Sequence, residues 1–89
     1  MYRLKYTKQS MKDIPKLKSA KLETKTKKLL EIISMNPFQT PPPYEKLVGN
    51  YEGIYSRRIN DKHRLCYMVD ESDFTLTILS LWSHYDSLH

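Results

Sequence analysis

Arg58 and Arg64 are the residues whose type and spacing first point to chemistry. They lie in the stretch from Ile54 to Val69, which reads as two β-strands joined by a tight turn. Ile54–Ile59 is rich in branched and aromatic residues, Asn60, Asp61 and Lys62 are turn formers, and His63–Val69 returns. Side chains alternate between faces along a strand. Ile54, Ser56 and Arg58 therefore share a face on the way out, and Arg64, Cys66 and Met68 share one on the way back. A turn that sets Ile59 opposite His63 sets Arg58 directly across from Arg64. Like charges paired across strands destabilise a sheet unless an anion sits between them, which points to a phosphate. The plain alternative is a pair of arginines solvated on an open sheet face.

Charge over the whole chain supports an anionic partner. The net charge of the 89 residues is +5, but residues 1–28 carry ten basic side chains against Asp13 and Glu23, a balance of +8, while the remainder carries −3. Segregation of this kind implies a directional field and a partner such as nucleic acid; a lysine-rich solvated helical surface is the alternative. The length suits one small domain, residues 1–89, with a modest core built largely from Tyr, Leu and Ile. Cys66 is the single cysteine, so no internal disulfide forms, and its mid-strand place suits a small buried hydrophobe better than a nucleophile. No apolar run is long enough to span a bilayer and no signal-peptide core is visible, so a soluble, cytoplasmic protein is expected.

The elements that must position the arginines follow in order. Tyr2–Tyr6 alternates as a short strand, and Thr7 is a plausible N-cap for a helix over residues 8 to about 19, with Met11, Ile14 and Leu17 at helical spacing. Pro15 should kink or shorten that helix. A second helix runs from Leu22 to Met35, burying Leu22, Leu29, Leu30, Ile32 and Ile33, and stops at Asn36-Pro37. Residues 37–43 form a stiff, proline-rich crossing. Tyr44–Leu47, a Gly49-Asn50 turn, the hairpin, an acidic turn at Asp70–Asp73 and a long strand from Phe74 to Trp82 complete the chain. The expected fold is α+β, in the order β-α-α-β-β-β, with two N-terminal helices packed on a twisted antiparallel sheet.

Tyr55-Ser-Arg-Arg-Ile, His63-Arg-Leu-Cys-Tyr and the His84-Tyr85 ending together resemble the YoeB/Txe branch of RelE-type bacterial toxins. Asn36-Pro-Phe before the prolines and Glu45-Lys-Leu before the hairpin extend the resemblance to about two thirds of the chain. The family fold agrees with the element order. The resemblance implies an endoribonuclease that cuts messenger RNA in the ribosomal A site without a metal or other cofactor, the ribose 2′-hydroxyl attacking its own phosphate. That reaction needs a base, positive charge around the phosphorane and an acid for the leaving oxygen. Carried over residue by residue, Glu45 is the base and His84 the acid. Arg64 neutralises the phosphate, with Arg58 as a second clamp, and Tyr85 stacks on a base. The implied partners are messenger RNA, ribosomal RNA and an acidic YefM-like antitoxin; a homodimer is implied by relatives alone.

Taken singly, Glu45 reads as a surface carboxylate, His84 as a bystander near a terminus, His63 as structural or solvated and His89 as tail. Relatives carry a basic residue where this chain has Val48; Lys46 is the nearby basic residue, to be read either as a substrate contact or as a side chain that points elsewhere. Leu81-Trp82-Ser83 stands where relatives often place a basic or small residue, and Asp86–His89 extends past the terminal Tyr of many of them. With those departures the alternative is a non-catalytic ribosome- or RNA-binding module of the same fold. A pure protein-interaction domain is a third reading.

Overall fold

A computed structural model describes residues 1–49 and 53–84. Tyr85, the Asp86–His89 tail and Asn50, half of the expected Gly49-Asn50 turn, lie outside the described residues.

The first strand, β1, spans Arg3–Tyr6, and Thr7 caps the helix that follows, its hydroxyl accepting from the Ser10 N–H at 3.1 Å. Helix α1 covers Lys8–Ser19. It runs through Pro15 without ending there, because the carbonyl robbed of a donor belongs to Met11, which is exposed and can be served by water. Exposure of Met11 also narrows the expected stripe: Leu17 is buried, and Ile14 packs against the core only partly. Helix α2, Glu23–Met35, ends at Asn36 as expected and buries Thr26, Leu29 and Ile33.

Among the described residues four more strands follow: β2 Tyr44–Lys46, β3 Ile54–Arg58, β4 His63–Asp70 and β5 Thr75–His84. They form one five-stranded sheet in the order β1-β5-β4-β3-β2. The fold is α+β with two helices on one sheet. Two details correct the sequence-based order. Tyr44–Lys46 is a strand at the sheet edge, too short to reveal itself by alternation. The sheet is mixed, because β1 lies parallel to β5 with Arg3 against Thr75 and Tyr6 against Ile78. A parallel neighbour needs a long crossover, and α1 and α2 form part of the connection that brings the chain back.

The longest strands, β4 and β5, sit at the centre, and Leu65, Tyr67, Leu76 and Ile78 are wholly buried beneath Leu17, Leu29 and Ile33 of the helices. Burying each such side chain contributes about 1.5–3 kcal/mol, so this layer dominates what holds helices to sheet. Beyond Ile78 the pairing of β5 with β4 slips, with register shifts between Arg64 and Cys66 and between Cys66 and Tyr67. In that irregular stretch the Leu81 N–H is taken by the buried carboxylate of Asp13 on α1, at 2.9 Å. The Asp13 carboxylate also accepts from the Gln9 amide at 2.9 Å and lies 3.6 Å from the Lys16 ammonium.

Candidate active site

On the sheet, Arg58 is the direct partner of Arg64, so the expected juxtaposition of like charges is present. Arg58 is exposed and Arg64 is buried. The neighbouring row supplies the anion. Glu45 on β2 pairs with Ser56 on β3, and Ser56 pairs with Cys66 on β4. Ser56 is small, so the Glu45 side chain can pass over it, and Glu45 Oε1 lies 3.9 Å from Arg64 Nη1. That separation is longer than the 2.7–2.9 Å or so of a charge-assisted hydrogen bond. The carboxylate stays beside the guanidinium while remaining 43% exposed, against 5% for the Arg64 side chain. Glu45, Arg58 and Arg64 line one hollow of about 450 Å3 together with Ser56, Asn60 and Asp61. Lys25 of α2 also lines it, a residue that sequence reasoning counted only among the helical lysines; nothing local to it signalled the cleft.

Glu45 is held in place from the opposite face. Arg57 is fully buried, and each of its three guanidinium nitrogens donates: Nε to Tyr67 Oη at 3.1 Å, Nη1 to the Pro42 carbonyl at 2.6 Å and Nη2 to the Pro37 carbonyl at 3.0 Å. Burying such an ion costs several kcal/mol, and only a full set of charge-assisted bonds, about 1.5–3 kcal/mol each, offsets it. The guanidinium also sits 5.0 Å from the centre of the Tyr44 ring. Around it Phe38, Tyr44, Tyr55 and Tyr67 pack ring against ring. The proline crossing is thereby tied at both ends to the sheet just before β2 begins. Sequence reasoning missed Arg57; its alternation with Ser56 placed it on the apolar face, and that was the available signal.

His84 ends β5 opposite His63, one residue beyond Ser83, the partner of Arg64. It lines a second hollow of about 390 Å3 with Gln9, Lys16, Ser83 and Trp82, and is not among the residues of the Glu45–Arg64 hollow. Its ring meets His63 edge to face at 4.8 Å, and His63 in turn stacks on Trp82 at 3.8 Å. His63 is therefore structural rather than solvated. Burial, followed by the His84 and Lys62 charges, pushes its pKa below the ordinary imidazole value, so it stays neutral at neutral pH. Cys66 is buried as expected. Of the two readings of Lys46 the structure matches the second: one residue on from Glu45 it falls on the other face of β2 and is not among the residues that line the Glu45–Arg64 hollow. Tyr85 lies outside the described residues. The structure thus brings Glu45, Arg58 and Arg64 together and places His84, on the sheet face of its partner His63, in a separate hollow that shares no lining residue with theirs. Among the described residues no group of three or more His, Cys, Asp or Glu could hold a metal ion.

Comparison with known proteins places these features in a family. A family model described as YoeB-like toxin of bacterial type II toxin-antitoxin system matches residues 6–85. Toxin YoeB of Synechocystis sp. is 40% identical over 57 residues, which is 64% of this chain and 64% of that protein. The chain thus aligns with a little under two thirds of that relative's length. The YoeB/ParE toxin from Agrobacterium tumefaciens superposes with a TM-score of 0.84 at 29% identity, covering 93% of this chain and 99% of that one. The toxin of a heterotetrameric YoeB-YefM toxin-antitoxin complex from Staphylococcus aureus gives a TM-score of 0.79 at 33% identity, over 96% and 99%.

Proposed function

The chain belongs to the YoeB-like toxin family of bacterial type II toxin-antitoxin systems, and from that premise we propose that it is an endoribonuclease that cuts messenger RNA in the ribosomal A site. The observation that carries this reading is the Glu45 carboxylate held 3.9 Å from the Arg64 guanidinium in a hollow that also contains Arg58 and Lys25. In the reaction, Glu45 takes the proton of a ribose 2′-hydroxyl, whose oxygen attacks the adjacent phosphorus. Arg64 and Arg58 neutralise the charge that builds on the phosphorane oxygens. The bond from phosphorus to the 5′-oxygen breaks, and His84 hands that oxygen a proton. The products are a 2′,3′-cyclic phosphate and a 5′-hydroxyl. Each role falls to a side chain, so the mechanism calls for no metal.

The lysines of the helices suit the ribosomal surface. Lys8, Lys12, Lys16, Lys18, Lys21, Lys25, Lys27 and Lys28 are all exposed, which matches a partner made of phosphates and predicts binding that falls steeply with salt. An antitoxin, as in the YoeB-YefM complex of the S. aureus relative, is the proposed protein partner, and an acidic one would complement the exposed lysines. Primer extension on messenger-programmed ribosomes tests the reading. New ends inside the A-site codon, absent with Arg64→Ala, are expected; wild-type protein that binds the ribosome and leaves the message whole would refute cleavage. That second outcome supports a non-catalytic binding module, a reading favoured by one observation: His84 lines a separate hollow and not the Glu45–Arg64 cleft.

A further inference from the structure

We propose that the indole of Trp82 is a stacking platform for the base of the nucleotide downstream of the cut, with Lys16 meeting that nucleotide's phosphate. The inference rests on the nuclease reading above and adds a subsite to it.

Trp82 is only half-buried: it packs against the core, and its ring lies nearly parallel to the His63 ring, 3.8 Å away with 21° between the planes. The same residue lines two hollows beside α1. One, about 390 Å3, holds His84 and Ser83; the other, about 420 Å3, is bounded by Pro15, Ser19 and Ala20. Lys16 lines both, its side chain 50% exposed. Both volumes fall in the range of small-ligand clefts, about 300–1,000 Å3. An aromatic ring backed on one side, with an ammonium beside it, is the combination that grips an unpaired nucleotide. The ring takes the base and the cation takes the phosphate. Asp13 lies in the same hollow with its carboxylate buried and accepting from the Leu81 N–H and the Gln9 amide; Lys16 stands 3.6 Å from it, beyond a close charge-assisted bond, and its half-exposed ammonium keeps hydrogens to offer a phosphate.

Direction along the RNA follows from chemistry. The oxygen that leaves is the 5′-oxygen of the downstream nucleotide, and His84 is the group that protonates it. The nucleotide beside His84 is therefore the downstream one, and Trp82 shares the His84 hollow.

Trp82 is the single tryptophan of the chain, so its emission reports on the site. Titrating the full chain with a single-stranded oligoribonucleotide, blocked by a 2′-deoxy residue at the cleaved position, is expected to change that emission in a saturable way. On programmed ribosomes Trp82→Ala is expected to lose about 5- to 150-fold in kcat/KM, the range of one base–aromatic stack. It should also flatten the base distribution just after the cut, while Trp82→Phe retains most of both. Bound oligonucleotide with unchanged emission, or Trp82→Ala with wild-type kcat/KM and base distribution, overturns the proposal. If the wild-type chain makes no cut, the nuclease reading fails, and the emission titration alone decides whether Trp82 meets RNA. Neither cutting nor binding overturns both. If Trp82→Ala fails to fold by circular dichroism, Trp82→Phe and the wild-type titration decide.

Discussion

Arg57 Nε donates to Tyr67 Oη at 3.1 Å, and the same hydroxyl donates onward to the Pro37 carbonyl at 2.7 Å, a carbonyl that Arg57 Nη2 also reaches. This relay ties the centre of the sheet to the segment that leads into β2, and β2 carries Glu45. Arg57→Met should lower stability by about 2–4 kcal/mol, since the Pro42 carbonyl loses its Arg57 donor and the Pro37 carbonyl keeps only that of Tyr67. Tyr67→Phe should cost about 1–2 kcal/mol, and the double variant less than the sum. Urea denaturation checks all three.

The pH dependence of stability has a sign set by His63. Its folded pKa is depressed, by burial first and by the His84 and Lys62 charges next. The unfolded chain therefore binds the proton first. The stabilising contribution is complete above the unfolded value, about 6.5, and is lost as pH falls from there through the folded pKa. His63→Phe keeps a ring against Trp82 and removes the titration. Thermal melts of the wild type should drop more steeply between about pH 7 and pH 5 than those of His63→Phe.

Lys21, just past the α1 C-cap Ala20, has φ of 60°, a left-handed position where a side chain is strained and glycine is usual. Lys21→Gly should raise stability by about 0.5–1 kcal/mol, visible as a melting temperature a few degrees higher.

For the proposed cleavage, Arg64→Ala should cost about 100- to 1,000-fold in rate, and Glu45→Gln and His84→Gln about 100- to 10,000-fold each. Arg64→Lys should not rescue, because an ammonium lacks the fork that spans two phosphate oxygens. Single-turnover cleavage on programmed ribosomes measures these losses.

Lys25 lines the Glu45–Arg64 hollow, whereas Lys46 does not. Lys25→Ala should therefore weaken RNA binding more than Lys46→Ala and reduce the slope of log affinity against log salt by about one. Binding titrations at several salt concentrations compare the two.

Both helices, the hairpin and the Arg58–Arg64 pairing were legible in the chain itself, because periodicity, Thr7 as cap, Asn36-Pro37 as stop and the Asn60–Lys62 turn are local signals. The parallel docking of β1 against β5 was not, since it joins segments some seventy residues apart and is decided by which edge the buried strands leave open. The same holds at the site. Strand spacing pointed to Arg64, and only the family resemblance nominated Glu45 and His84 beside it. Only the folded sheet showed that Glu45 reaches Arg64 over a small Ser56, that Lys46 turns away and that His84 lines a separate hollow. Arg57 shows the difference most sharply. A charged residue on an apolar face looks misplaced in sequence, and it becomes intelligible once the proline carbonyls and the Tyr67 hydroxyl converge on it from distant segments. Backbone preference acts between neighbours and can be read from neighbours; the desolvation of a charge and the meeting of side chains depend on everything that packs around them.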